Sequence, residues 1–147
     1  MKTRVLVVDD SAMVRERLCQ ILKADGHFAL VGSANNGRSA VELAAQLLPD
    51  LVLMDVQMPE MDGLEATRRI KTQAGAPKVL MVTLDDTAAC RAAAKAAGAD
   101  GFVSKASMGK TLPPLLSAMH LRREGLKQSL ARAEMSGMGY RHWGLNE

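Results

Sequence analysis

The stretch Leu51-Val52-Leu53-Met54-Asp55 is a continuous run of apolar residues that ends in a carboxylate. A strand with one face in water would alternate apolar and polar residues, whereas all four residues before Asp55 are apolar. Residues 5–8 and 79–82 have the same continuous apolar character. Strands buried on both faces are typical of parallel sheets covered by helices, and we therefore expect a parallel sheet at the centre of the fold.

Helical patterns separate these strands along the chain. Apolar residues recur at helical spacing between them, and turn sequences such as Asp25-Gly26 and Asn35-Asn36-Gly37 divide helices from strands. The pattern predicts five helices, the last beginning near Pro113-Pro114, and five strands at residues 4–8, 28–34, 51–54, 78–82 and 101–104. This alternation predicts an α/β fold, a flavodoxin-like doubly wound parallel sheet with strand order 2-1-3-4-5.

The composition excludes several classes of protein. The chain has 147 residues, 48% of them hydrophobic and 24% charged, which is typical of a folded domain and not of a disordered or fibrous chain. A net charge of +3 is too small to require a polyanionic partner, so we expect no direct contact with nucleic acid. The longest apolar runs are only as long as strands, which predicts a cytoplasmic protein without a membrane partner.

Polar residues cluster where the predicted strands end. Asp9-Asp10 follows the first strand, Asp55 the third, Thr83 the fourth and Lys105 the fifth. Carboxyl ends of parallel strands meet at one edge of the sheet, where ligands of such folds bind. Carboxylates held close together repel one another unless a cation neutralises them, and Mg²⁺ prefers oxygen ligands of this kind.

This set of residues predicts phosphoryl transfer. Asp55 is the expected nucleophile, which would form an aspartyl-phosphate. Mg²⁺ and Lys105 would stabilise charge on the transferring group, and the Thr83 hydroxyl would bind one of its oxygens. Each residue alone would be read as a cap, a turn residue or a solvated lysine, and only their joint position at the strand ends favours a site.

Four segments contain these residues: VLVVDDS at 5–11, LVLMDVQMPEMDG at 51–63, VT at 82–83 and GADGFVSK at 98–105. In this combination the sequence resembles the receiver domain of two-component response regulators, over about residues 3–122. The resemblance implies that Asp55 is the phosphoacceptor, that Asp9 and Asp10 set the Mg²⁺ site together with Asp55, and that the backbone carbonyl of Gln57 is a further metal ligand.

The resemblance also implies how a signal would be transmitted. Thr83 and Lys105 correspond to the residues that sense and neutralise the phosphoryl group, and Phe102 corresponds to an aromatic switch that turns inward together with the threonine. One position departs from the family pattern, because a proline, often in a cis bond, usually follows this lysine and the residue here is Ala106. The geometry of that loop is therefore left open.

The implied partners are proteins. The phosphodonor would be a sensor histidine kinase or a phosphotransfer protein, and a downstream protein target would bind in response to phosphorylation. Members of the family are monomers or homodimers that pair through the fourth and fifth helices, and both states stay open. The chain would be a signalling module and not a metabolic enzyme.

Two alternatives remain from the sequence. The chain is either a stand-alone module or the receiver part of a DNA-binding regulator. A haloacid-dehalogenase-type phosphatase also uses an aspartate nucleophile, Mg²⁺, a hydroxyl and a lysine, but its nucleophile lies in an Asp-x-Asp pattern after the first strand. Here the two aspartates after that strand are adjacent, and the third acid follows the third strand.

The C-terminal part of the sequence has a different character. We expect a receiver domain at residues 1–124 and, at 125–147, a helical extension that leads into a flexible tail. The segment Tyr140-Arg141-His142-Trp143 contains two of the chain's four aromatic residues and is either an inert tail or a docking element.

Overall fold

The computed structural model describes residues 1–136, and all of their side chains except those of residues 127 and 129–136. Strands and helices alternate along this part of the chain. The strands are β1 (Thr3–Val8), β2 (Phe28–Ala34), β3 (Leu51–Met54), β4 (Lys78–Thr83) and β5 (Gly101–Ser104). The helices are α1 (Ala12–Ala24), α2 (Gly37–Leu47), α3 (Gly63–Lys71), α4 (Ala88–Ala96) and α5 (Met108–Ser136).

The five strands form one parallel sheet in the order β2-β1-β3-β4-β5, which confirms the predicted fold. Val8 of β1 pairs with Met54 of β3, and Met54 pairs in turn with Met81 of β4. The residues that follow Val8 and Met54 are therefore neighbours at the carboxyl edge of the sheet. This register decides which side chains meet there.

Two hydrophobic layers explain the continuous apolar strands. Successive side chains of a strand point to opposite faces of the sheet. Val5 and Val7 belong to a layer that includes Leu18 of α1 and Leu112 of α5. Leu6 and Val8 face the other layer, which α2, α3 and α4 cover with small or branched side chains: Ala40, Ala44, Ala66, Ile70, Cys90 and Ala94. Both faces are buried, so the central strands need no polar residue.

The last helix starts earlier than predicted. α5 begins at Met108 and not near Pro113, because the Ser107 carbonyl accepts hydrogen bonds from the amides of Lys110 and Thr111 and closes a turn upstream of the prolines. α5 is the longest helix, yet neither it nor any other helix within residues 1–136 is long and apolar enough to cross a membrane.

α5 continues without interruption past residue 124 and is described as far as Ser136. Two of its residues contact the amino end of the sheet. His120 Nδ1 lies 2.6 Å from Thr3 Oγ1, and Arg123 Nη2 lies 3.1 Å from Asp50 Oδ2. The hypothesised docking segment at Tyr140–Trp143 lies outside the described residues.

Candidate functional site

Three carboxylates meet at the carboxyl edge of the sheet. Asp9 follows β1 directly and is fully buried, Asp55 follows β3 and is 3% exposed, and Asp10 is exposed to solvent. One carboxylate oxygen from each residue lies within 4.8 Å of those of the other two. The register of β1 and β3 thus brings together the three acids that follow these two strands in the sequence.

Lys105 lies against two of these acids. Its Nζ atom is 2.7 Å from Asp9 Oδ2 and 3.2 Å from Asp55 Oδ1, and its side chain is 10% exposed. The lysine reaches this position because its backbone extends the pairing of β5 with β4 by one residue. Its amide donates a hydrogen bond to the Thr83 carbonyl at 2.8 Å. The Lys105–Ala106 peptide bond is trans, and the Ser104 hydroxyl accepts a hydrogen bond from the Ala106 amide at 3.2 Å.

The two remaining predicted residues of the site, Thr83 and Gln57, lie at the end of β4 and in the loop after β3. Thr83 ends β4 and is 1% exposed, and its hydroxyl accepts a hydrogen bond from the Asp85 amide at 3.3 Å. Gln57 is exposed in the loop after Asp55. That loop returns to the site at Gly63, where a side chain would collide with the Asp55 carbonyl oxygen, so only glycine permits this close approach.

The pKa values in the site reflect burial and close charges. Burial raises the pKa of Asp55 to about 6, and the charge of Asp9 adds to the effect while the Lys105 ammonium opposes it. Burial alone would lower the pKa of Lys105, but the hydrogen bond to Asp9 and the charges of Asp55 and Asp9 outweigh it and raise the pKa. Lys105 is therefore a permanent cation at neutral pH, and Asp55 becomes fully ionised only above its raised pKa.

This shift predicts how stability depends on pH in metal-free protein. The pKa of Asp55 is 3.8 when unfolded and about 6 when folded, so the unfolded chain loses its proton first and the free energy of unfolding falls as pH rises between these values. Asp55→Asn removes this loss, and we expect it to stabilise the metal-free protein at pH 7 by about 3 kcal/mol, at about 1.4 kcal/mol per pH unit. The measurement is urea unfolding in chelator between pH 4 and 7. If the free energy of unfolding changed with pH in the same way in wild type and variant, the pKa of Asp55 would be the same in the folded and unfolded states and the prediction would be wrong.

Asp9 provides a test of whether the site fits a divalent cation. Its Oδ1 atom accepts a hydrogen bond from the Ser11 amide at 2.9 Å. Its Oδ2 atom is buried and is paired with the Lys105 ammonium, whose Nζ atom is 2.7 Å away. Lys105 offsets only one of the three negative charges that Asp9, Asp10 and Asp55 carry when ionised, and close carboxylates repel one another unless a cation neutralises them. Together with oxygens of Asp10 and Asp55, an Asp9 oxygen forms the hard oxygen donor set that suits Mg²⁺.

Two arginines that the sequence does not single out contact this region. Arg15 of α1 donates a hydrogen bond from Nη1 to the Asp9 carbonyl at 2.7 Å, which ties the β1–α1 turn to the helix. Arg91 of α4 lies with its guanidinium carbon 4.5 Å from the ring centroid of Phe102. Phe102 is half-buried against the core layer that α2, α3 and α4 cover. In the sequence, the only indication that Arg15 contacts the site is its position one turn into the helix that follows Asp9-Asp10.

Comparisons with known proteins agree with this architecture. The sequence matches the response regulator receiver domain over residues 5–116. It is 40% identical over 129 residues to a protein-glutamate methylesterase/protein-glutamine glutaminase of Nocardioides sp., covering 84% of this chain and 35% of that protein. It is 38% identical over 109 residues to the transcriptional regulatory protein YdfI of Bacillus subtilis, covering 74% of this chain and 51% of that protein.

A solved structure is similar over most of the described fold. The response regulator domain of Thermotoga maritima CheB superposes with a TM-score of 0.74 at 35% identity, covering 82% of this chain and 96% of that domain. The chain spans about a third of the methylesterase and about half of YdfI, and the match lies in the receiver part that these proteins share with it. The chain belongs to the response regulator receiver domain family.

Proposed function

We propose that this receiver domain accepts one phosphoryl group on Asp55 and that the modification changes a protein-binding surface. The observation that carries the proposal is the geometry of Asp55. Its carboxylate is buried, lies 3.2 Å from the Lys105 ammonium, and lies beside two further carboxylates at the edge where ligands of this fold bind.

The proposed reaction is a direct transfer from a phosphohistidine. An oxygen of the ionised Asp55 carboxylate attacks the phosphorus, the P–N bond breaks, and the electron pair leaves with the imidazole of the donor. Asp55 is mostly ionised at neutral pH because its pKa is about 6. Lys105 offsets the negative charge of the transferring group, and the Thr83 hydroxyl is a hydrogen-bond donor for a phosphoryl oxygen.

Mg²⁺ completes the proposed site. Asp9, Asp10 and Asp55 would hold it together with the backbone carbonyl of Gln57, and the excess of three carboxylates over the Lys105 ammonium beside them supports this assignment. When bound, the cation neutralises charge on the phosphoryl oxygens. Asp9 holds its other oxygen on the Ser11 amide at 2.9 Å, which keeps its carboxylate in the site.

The partners follow from this chemistry. We infer that a histidine kinase or a phosphotransfer protein supplies the phosphoryl group, that a downstream protein reads the changed surface, and that the chain acts in the cytoplasm without turning over a metabolite. A phosphatase of the haloacid dehalogenase type would need its nucleophile in an Asp-x-Asp pattern after β1, but Asp9 and Asp10 there are adjacent. Turnover of a generic aryl phosphate would favour that alternative.

The experiment that tests the function uses beryllofluoride, a mimic of the phosphoryl group. In the presence of Mg²⁺ it is expected to shift the amide NMR signals around Phe102 and in residues 107–116 of wild type, because the mimic adds negative charge and new hydrogen-bond acceptors beside Thr83 and Lys105. Chelator is expected to abolish the response. If none of these signals move with Mg²⁺ present, the proposed switch is wrong.

Thr83→Ala tests how the signal leaves the site. The variant lacks the hydroxyl that would turn toward the phosphoryl group, and it keeps only the β-carbon of the side chain. We expect Asp55 to be phosphorylated still, while the beryllofluoride shifts around Phe102 are lost. Equal shifts in Thr83→Ala and wild type would show that Thr83 does not relay the signal.

We further propose that residues 1–124 form the receiver unit and residues 125–147 an extension. Within the described residues, Arg123 is the last on α5 for which an ion pair with the sheet is seen, at 3.1 Å from Asp50. A chain that ends at Gly125 is therefore expected to unfold cooperatively, with a midpoint close to that of the full chain, and to be phosphorylated at the same rate. Loss of cooperative urea unfolding would show that the extension is part of the domain.

A further inference from the structure

Arg91 of α4 contacts both the β4–α4 loop and strand β5. Its Nε atom donates a hydrogen bond to Asp86 Oδ1 at 2.8 Å, and its Nη2 atom contacts the same oxygen. Its guanidinium carbon lies 4.5 Å from the ring centroid of Phe102 on β5. One side chain on α4 thus holds the β4–α4 loop through Asp86 and covers the aromatic ring.

Hydrogen bonds of Asp85 and Thr87, the two residues on either side of Asp86, connect the β4–α4 loop with the candidate phosphorylation site. The Asp85 amide donates to the Thr83 hydroxyl at 3.3 Å, and the Asp85 carboxylate accepts from the Thr87 amide at 3.1 Å. The Thr87 hydroxyl in turn caps α4 by accepting a hydrogen bond from the Cys90 amide at 3.1 Å. Three consecutive residues therefore link Thr83 to both the start of α4 and the partner of Arg91.

We infer that Arg91 is a latch that holds Phe102 in its resting, half-buried position until Asp55 is phosphorylated. The inference rests on the proposed role of Asp55 and Thr83. When the Thr83 hydroxyl turns to a phosphoryl oxygen, the Asp85 amide loses its acceptor and the loop that contains Asp86 loses its anchor. Arg91 then loses its carboxylate partner, and the ring of Phe102 is free to move.

The contacts of Arg91 with Asp86 and Phe102 are weak enough to be broken and formed again. Arg91 and Asp86 are both exposed, and exposed ion pairs and cation–π contacts are individually weak. One phosphoryl group with its charge-assisted hydrogen bonds is therefore strong enough to shift the equilibrium. A ligand shifts such an equilibrium only as far as its interactions differ between the two states, and the Thr83 hydroxyl makes that difference here.

The chain offers a simple readout because it contains only two phenylalanines, Phe28 and Phe102. Phe28 is buried on β2, in the core layer covered by α1 and α5, and reports on folding. Ring-labelled phenylalanine would give one NMR signal set for the switch and one for the internal control. Wild type with beryllofluoride and Mg²⁺ defines the position of the Phe102 signals in the active state.

Arg91→Ala is expected to move the Phe102 signals of resting protein part of the way to that position and to leave Phe28 unchanged. Loss of two weak contacts predicts an active-state population raised roughly three- to tenfold. Asp86→Asn, which keeps the arginine and removes its charged partner, is expected to act in the same direction. The matched control is Arg68→Ala, which breaks an exposed ion pair with Glu65 on α3 and is expected to change neither signal.

The outcomes separate the latch from the proposed function. If beryllofluoride moves the Phe102 signals of wild type but resting Arg91→Ala and Asp86→Asn match resting wild type, the latch is refuted and the proposed function stands. If beryllofluoride moves no Phe102 signal in wild type, the proposed function fails and the latch fails with it. An equal movement in Arg68→Ala would also refute the latch, because the effect would then not be specific to Arg91.

Discussion

Asp55→Asn is expected to abolish phosphorylation of the protein by acetyl phosphate and Mg²⁺. The substitution replaces one carboxylate oxygen with an amide nitrogen of nearly the same size, so the packing of this buried side chain is preserved while its nucleophilic charge is removed. The neutral amide does not attack phosphorus at a useful rate. Intact-protein mass spectrometry would show one added phosphoryl group in wild type and none in the variant.

The control for this experiment is Glu60→Gln, the same acid-to-amide change at an exposed residue of the loop that follows Asp55. It is expected to be phosphorylated like wild type. If Asp55→Asn gained as much hydroxylamine-sensitive phosphate as wild type, another residue would be the acceptor and the assignment of Asp55 would be wrong.

Lys105→Met is expected to slow phosphorylation by acetyl phosphate about 100-fold or more, the typical effect of removing one charge-stabilising donor from a reacting centre. The variant keeps a chain of similar length but leaves the carboxylates of Asp9 and Asp55 without the ammonium that lies 2.7 and 3.2 Å from them. In metal-free protein the loss of the ammonium also raises the pKa of Asp55, because the charges of Asp9 and Asp10 then act on it unopposed.

The rate is measured from the initial increase of phosphorylated mass at pH 7. Lys110→Met serves as the control, because Lys110 is an exposed lysine in the first turns of α5 and its loss removes the same charge away from the site. A rate for Lys105→Met within a few-fold of the rate for Lys110→Met would show that Lys105 does not stabilise the transferring group.

The fold was predictable because a strand that is buried on both faces of the sheet has apolar residues at every position of its sequence. Strand β3 at Leu51–Met54 is apolar at every position, since α1 and α5 cover one face and α2, α3 and α4 the other. The same topology explains why Asp9, Asp55 and Lys105 lie close together. Each follows a strand, and the residues that follow parallel strands lie at the same edge of the sheet.

Other features depend on contacts that no local pattern records. The start of α5 at Met108 is set by the Ser107 carbonyl, whereas the prolines at 113 and 114 suggested a later start. Arg91 is one of two charged residues on α4, and its contact with Asp86 and Phe102 depends on how the β4–α4 loop folds back along the helix. Long side chains reach partners that only the assembled tertiary structure defines.

The most direct test of the central claim is to identify the residue that carries the phosphoryl group. Wild type is phosphorylated with acetyl phosphate and Mg²⁺, treated with borohydride to reduce the acyl phosphate to a stable alcohol, digested and mapped by tandem mass spectrometry. A matched sample in chelator controls for unspecific modification. We predict reduction at Asp55 alone and none in the chelator sample. Reduction at a different residue with Asp55 unmodified, or unmodified protein under conditions that phosphorylate a known receiver domain, would contradict the account.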